Sequence, residues 1–180
     1  MRALLVASLL LGSVGVSRAD APSLTTTLDW IAAKLRDRGR FEATSPRSGT
    51  RSTAEQAVKW YTDGCVMIYT RSVTLTNREG RTWTTVSNWR VPLAEMNPAS
   101  ASLTFDTCTP QKESEESCQL IELTAINNKD VVSVDGPYGG RGPKLTIKLR
   151  AAEGELAAKM RDALKHAANL CAAKDPEFPK

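Results

Sequence analysis

The four cysteines, Cys65, Cys108, Cys118 and Cys171, constrain this chain most, because the segment ahead of them marks it for an oxidising compartment. Residues 1–19 read as a secretory signal. Met1-Arg2 is a basic start, Ala3 to Ser17 is an apolar run, and Ser17-Arg18-Ala19 puts small residues at the −3 and −1 positions of a cut after Ala19. The run is shorter than the roughly 20 residues a membrane-spanning helix needs, and no later stretch comes closer, so no transmembrane segment is expected in the mature chain. A secreted or periplasmic location follows, in which four thiols become two disulfide bonds by one of three connectivities. The cysteines lack the paired C-x-x-C spacing of zinc sites, so no metal is expected.

Export also corrects the charge. The 180 residues carry 24 basic and 20 acidic side chains, and removing Arg2 and Arg18 with the leader leaves 22 against 20, a net of +2. Bulk charge of that size gives no reason to expect nucleic-acid binding. Acid–base chemistry is limited in turn by a single histidine, His166, which helical periodicity puts on a solvated face. No nucleophile-elbow, metalloprotease or phosphate-loop motif occurs, so catalytic residues and cofactors are not expected.

Periodicity divides the chain into elements. Leu24, Leu28, Ile31 and Leu35 repeat at helical spacing between a Ser23 cap and Gly39, predicting a helix over 23–38. Residues 40–54 are rich in Gly, Pro, Ser and Thr and read as a loop. From residue 55 the period becomes two. Strands are expected at 57–61, 65–76, 82–91, 102–108, 118–126, 130–134 and 144–149, with Thr62-Asp63-Gly64 and Asn77-Arg78-Glu79-Gly80 as hairpin turns. Leu156, Met160, Ala163, Leu164, Ala167 and Cys171 form one stripe of a closing helix over 153–172. The organisation expected is a signal peptide at 1–19, a helix and loop at 20–54, one β-rich domain at 55–174 and a frayed tail at 175–180.

Seven antiparallel strands in hairpin order suggest an α+β fold. The scheme is a seven-stranded sandwich or bent barrel with an N-terminal helix, and an amphipathic C-terminal helix caps its open side. An α+β sheet with both helices on one face is the rival. Over residues 55–172 this order of elements resembles the pleckstrin-homology-like fold, and the resemblance implies a scaffold. It does not carry phosphoinositide binding with it: lipid-binding members place clustered Lys and Arg in the first hairpin loop, and here that loop is the short, acidic Thr62-Asp63-Gly64. On this scheme Cys108 ends one strand and Cys118 begins the next, while Cys65 opens the second strand and Cys171 lies on the apolar stripe of the last helix. Cys65–Cys171 with Cys108–Cys118 is the preferred pairing.

Candidate ligand or partner contacts are Trp60, Tyr61, Trp83 and Trp89 in the strands, with Tyr138 and Arg141 in the glycine-rich loop Gly136 to Pro143. The acidic run Glu113-Ser114-Glu115-Glu116 lacks the ligand alternation of a calcium loop and reads as a solvated hairpin tip. Trp30 lies off the centre of its helix stripe and reads as a surface anchor. The function expected is an exported, non-enzymatic binding or interaction module for an unknown protein or small ligand. The alternatives are a hydrolase using carboxylates such as Glu95 and Asp106, or a carrier of small apolar ligands in the barrel interior.

Overall fold

The computed structural model describes residues 21–45, 47–61, 65–108, 117–137 and 139–173. The leader, the turn Thr62-Asp63-Gly64, the acidic run at 113–116, Tyr138 and the tail from 174 lie outside them. Helix α1 (Leu24–Arg38) starts where the Ser23 hydroxyl accepts from the Thr26 N–H at 3.2 Å, and stops where Gly39 donates back to the Leu35 carbonyl at 2.7 Å. Its buried stripe is the one the spacing predicts: Leu24, Leu28, Ile31 and Leu35. Helix α2 (Gly154–Ala172) buries Ala157, Met160, Leu164, Ala167 and Cys171.

Between them run nine strands: β1 (Phe41–Thr44), β2 (Arg51–Tyr61), β3 (Val66–Thr76), β4 (Thr82–Pro92), β5 (Ser102–Thr107), β6 (Ser117–Thr124), β7 (Val132–Asp135), β8 (Gly140–Gly142) and β9 (Lys144–Arg150). All neighbours pair antiparallel. They make two sheets, one of six strands in the order β1-β2-β3-β4-β7-β8 and one of three in the order β5-β6-β9. The fold is α+β and mostly sheet, and no closed barrel forms among the described residues. Two expected strand boundaries therefore need correction. The segment read as a loop over 40–54 holds β1 and the start of β2, because Phe41 and Ala43 bury one face of a short strand against Ala54 and Ser52. The glycine-rich loop contains β8, three residues whose main chain pairs with β7.

Three bodies share the main core. The six-stranded sheet supplies Val58, Met67, Tyr69 and Val91, the small sheet Ile121, Leu123, Leu145, Ile147 and Leu149, and the two helices their stripes. Cys65 is bonded to Cys171, which ties the start of β3 to the end of α2, and Cys108 is bonded to Cys118 at the base of the β5–β6 hairpin. This is the preferred pairing. The second bond packs with Phe41, Ala54 and Val73 in a smaller cluster. Both bonds fit an extracellular or periplasmic location, and no described helix is long and apolar enough to cross a membrane.

One polar side chain joins the bodies. Gln56 is buried on the core face of β2 and donates through Nε2 to the Gly39 carbonyl at 2.7 Å and to the Lys148 carbonyl of β9 at 2.8 Å. Its Oε1 accepts from the Tyr69 hydroxyl. Burial pushes the Tyr69 phenol well above its ordinary value, with Arg71 nearby opposing. A group whose folded pKa lies above its unfolded value of about 10 contributes stability below that pH and loses it as pH rises toward the folded value. Urea unfolding between pH 8 and 11 should show this alkaline decline, and Tyr69→Phe should flatten it. An unchanged decline in the variant would mean that other groups cause it.

Candidate functional site

The face on which a strand residue lies decides whether it is core or surface, and the register separates the expected aromatics on that basis. Val58, Tyr69 and Trp89 are cross-strand partners, as are Trp60 and Met67, so all five lie on the core face of the large sheet. Trp89 stacks at a tilt on Tyr69 with centroids 5.0 Å apart, and Trp60 packs on the same core. These two tryptophans are structural. Tyr61 falls on the opposite face and is 61% exposed, at the end of β2 where β3 begins. Trp83 lies near the other end of the ribbon, across from Leu75, and is 48% exposed. Arg141 is exposed on β8, two strands away from β4. Among the described residues, the expected contacts are therefore dispersed over the large sheet.

Trp83 shares the core face with Trp89, yet it is open. The reason is the length of the β3–β4 ribbon, whose strands have 11 residues each while the small sheet covers only the end nearer Tyr69. Past the Cys108–Cys118 cluster the ribbon carries Leu75 and Trp83 on its inner face and Val86, 46% exposed, on the outer one. Phe105 on β5 is 71% exposed. The sequence places Val86 and Phe105 in the strands expected at 82–91 and 102–108 and singles out neither as a contact. Each sits in a regular β pattern, and nothing local tells a covered face from an uncovered one.

The edge of this ribbon is its second distinctive property. β7 pairs with β4 only at Asn88, Trp89 and Arg90. At Gly136, with φ of 147°, the chain leaves that edge; a Cβ there would be strained by the backbone and would crowd Ser87 Oγ at 2.9 Å and the Val86 carbonyl oxygen at 3.0 Å. Among the described residues, Thr82 to Ser87 therefore have a strand neighbour on one side only, β3.

The other surface feature is the seam between the helices. Trp30 separates two clefts of about 460 Å³ each. One is lined by Pro22, Thr26, Thr27, Lys159, Asp162, Ala163 and His166, the other by Lys34, Arg38, Glu153, Glu155, Leu156 and Lys159. Trp30 is half-buried, as a surface anchor should be. His166 differs from expectation: it is half-buried, with Nε2 at 2.8 Å from the Pro22 carbonyl, an acceptor that requires the proton on Nε2. The carboxylates named for hydrolysis stand on different elements. Glu95 is exposed after β4, and Asp106 accepts from Lys148 Nζ at 2.7 Å on the small sheet. No cluster of metal-ligand side chains occurs among the described residues.

Protein-family models, curated proteins and solved structures were all compared with this chain, and none of the three comparisons gives a match.

Proposed function

We propose that this chain is an exported, non-enzymatic interaction module that contacts its partner through the outer part of the β3–β4 ribbon. The observation that carries the reading is the coincidence of an open strand edge with exposed Trp83 and Val86 on its two faces. An open edge offers main-chain hydrogen bonds to an extended partner, and flanking apolar side chains add specificity. The signal over residues 1–19 and the two disulfides support export. The order of elements, a run of antiparallel strands closed by α2, supports a pleckstrin-homology-like scaffold as part of this proposal.

A photo-crosslinking residue placed at position 83 or 86, in the envelope of the source cell, should trap a protein partner. The same residue at Glu155 on α2 should not. Trapping from Glu155 alone, or from none of the three, would sink the reading. A second reading, a site for small apolar ligands, is favoured by the cleft of about 460 Å³ beside Trp30 and Ala163. It differs from the carrier expected from the sequence, since the interior between the sheets is filled by Tyr69, Ile121, Leu145, Ile147 and Leu149. Binding of an apolar fluorophore that Trp30→Ala abolishes would favour it over the ribbon.

A further inference from the structure

The outer face of the six-stranded sheet, turned away from the core, carries one continuous cross-strand row. Lys59 of β2 is the partner of Ile68 of β3, Ile68 of Arg90 of β4, Arg90 of Ser133 of β7, and Ser133 of Arg141 of β8. Cross-strand partners point to the same face, so these five side chains stand in one line across the strands. Their face is the outer one, because Val58, Tyr69 and Trp89, each one residue away along its strand, take the core face. Lys59, Arg90 and Arg141 are exposed, and among the described residues none of the three forms an ion pair. The β1 side of the same sheet differs: there Arg40 and Arg51 are both paired with Glu42. The nearest acids on the outer face sit in other rows, Asp135 opposite Asn88 and Glu55 held by Arg40 at 3.6 Å.

Neighbouring strands lie about 4.8 Å apart, so successive cations of the row, two strands apart each time, are separated by about 9.6 Å. That exceeds the screening length of about 8 Å at physiological ionic strength, so the three stand together without acids between them. Of the three residues of β8, only Arg141 has a side chain, and a Cβ at Gly140 or Gly142 would meet nothing within 4 Å. Space does not require these glycines; they leave one guanidinium between two stretches of bare main chain. The row next to the cations is low and polar. It holds Ala57, Thr70 and Asn88, with the Thr70 hydroxyl donating to Asn88 Oδ1 at 2.8 Å. At its β2 end this floor opens into a cleft of about 380 Å³ that Arg36 of α1 also lines. Tyr61 stands exposed on the other side of Lys59, on the same face.

From this row we propose that the outer face binds a linear acidic polysaccharide, laid across the strands with one acidic group at each cation. The site is separate from Trp83 and Val86 and does not depend on the ribbon as a contact surface. Three features select this occupant. The cations form a line, which suits a chain; a plane of anionic lipid headgroups would also press its charges on Asp135 and Glu55. An extended peptide shows side chains on one face every second residue, about 6.8 Å apart, out of step with the cations. A sugar chain that is acidic on every second ring repeats closer to their spacing. The floor suits sugar as well, since Thr70 and Asn88 offer hydrogen bonds to hydroxyl groups and Tyr61 offers a ring face. Exposed charge contacts are individually weak, so the affinity comes from using all three together.

Titration calorimetry of the mature, oxidised chain with short hyaluronan fragments, in which every second sugar carries a carboxylate, tests this. At about 50 mM salt the dissociation constant should lie below about 1 mM and should rise as salt is added. Arg90→Gln, at the middle of the row, should weaken binding about fivefold, and Lys59→Gln combined with Arg141→Gln about tenfold or more. Lys165→Gln removes the same charge from the exposed face of α2 and should leave binding unchanged. All four side chains are exposed, so the variants should keep the fold. Absence of binding would overturn the proposal, as would an equal loss in Lys165→Gln and Arg90→Gln. So would stronger row-dependent binding of poly-glutamate, or of phosphatidylglycerol vesicles, at a matched concentration of anionic groups; the face would then serve an acidic peptide or a membrane instead.

Discussion

Replacing Cys65 and Cys171 together by alanine should lower the unfolding free energy by about 5 kcal/mol, which for a domain stable by about 5–15 kcal/mol decides whether it folds. The magnitude follows from the 106-residue separation of the two cysteines, which makes this a long loop for the unfolded chain to lose. The same model gives about 3 kcal/mol for Cys108–Cys118, whose separation is 10. Urea unfolding of the two double variants, each with the other bond formed, should rank them in that order. The long bond has a further role that chain entropy omits: it holds the end of α2 against the start of β3, where both cysteines are buried. If losing the short bond were the more damaging change, the entropic argument would be wrong for this fold and local packing under Phe41 and Val73 would dominate.

Gln56→Ala should cost about 3 kcal/mol or more, a large effect for a polar residue in a strand. Truncation leaves the Gly39 carbonyl, the Lys148 carbonyl and the Tyr69 hydroxyl without the partner they have now. Each buried polar group left unsatisfied costs about 1–3 kcal/mol, reduced where water can enter the space. Gln56→Glu should be no milder at neutral pH, since its carboxylate would face two carbonyl oxygens with no N–H to offer. Protonation lets one carboxyl oxygen donate again, so the Glu variant should recover part of the loss as pH falls. Chemical denaturation of both variants between pH 5 and 8 checks this. A Gln56→Ala change below about 1 kcal/mol would show that water replaces the amide without penalty.

Much of the scaffold is legible in the sequence, and what is missed has a common cause. Leu24, Leu28, Ile31 and Leu35 announce α1 because a helix repeats its apolar face within a few residues, and Leu145, Ile147 and Leu149 announce β9 for the same kind of reason. The disulfide pairing is legible because each cysteine falls at a recognisable place in an element. β1 is missed because four residues are too few to show alternation, and β8 because Gly140-Arg141-Gly142 pairs through main chain alone. The division into sheets of six and three strands is set by β7 crossing past β5 and β6 to reach β4, a pairing between distant segments that no local pattern specifies. The site suffers most. Trp83 and Trp89 are six residues apart on the same face of one strand, and only the reach of the small sheet makes one core and the other surface. The open edge depends on the single place, Gly136, where β7 gives way.

The antiparallel seam of α1 and α2 has a consequence for the order in which the chain can acquire structure. Arg38 meets Glu153 at 3.1 Å at one end of the seam, and Pro22 meets His166 at the other, so two helices separated by the whole run of strands lie side by side. During synthesis, the apolar stripe of α1 waits for a partner more than a hundred residues behind it. Long-range closure of this kind is slow compared with local pairing. The apolar stripe of α1 therefore stays uncovered until α2 is made, and a chaperone is what would shield it in the interval.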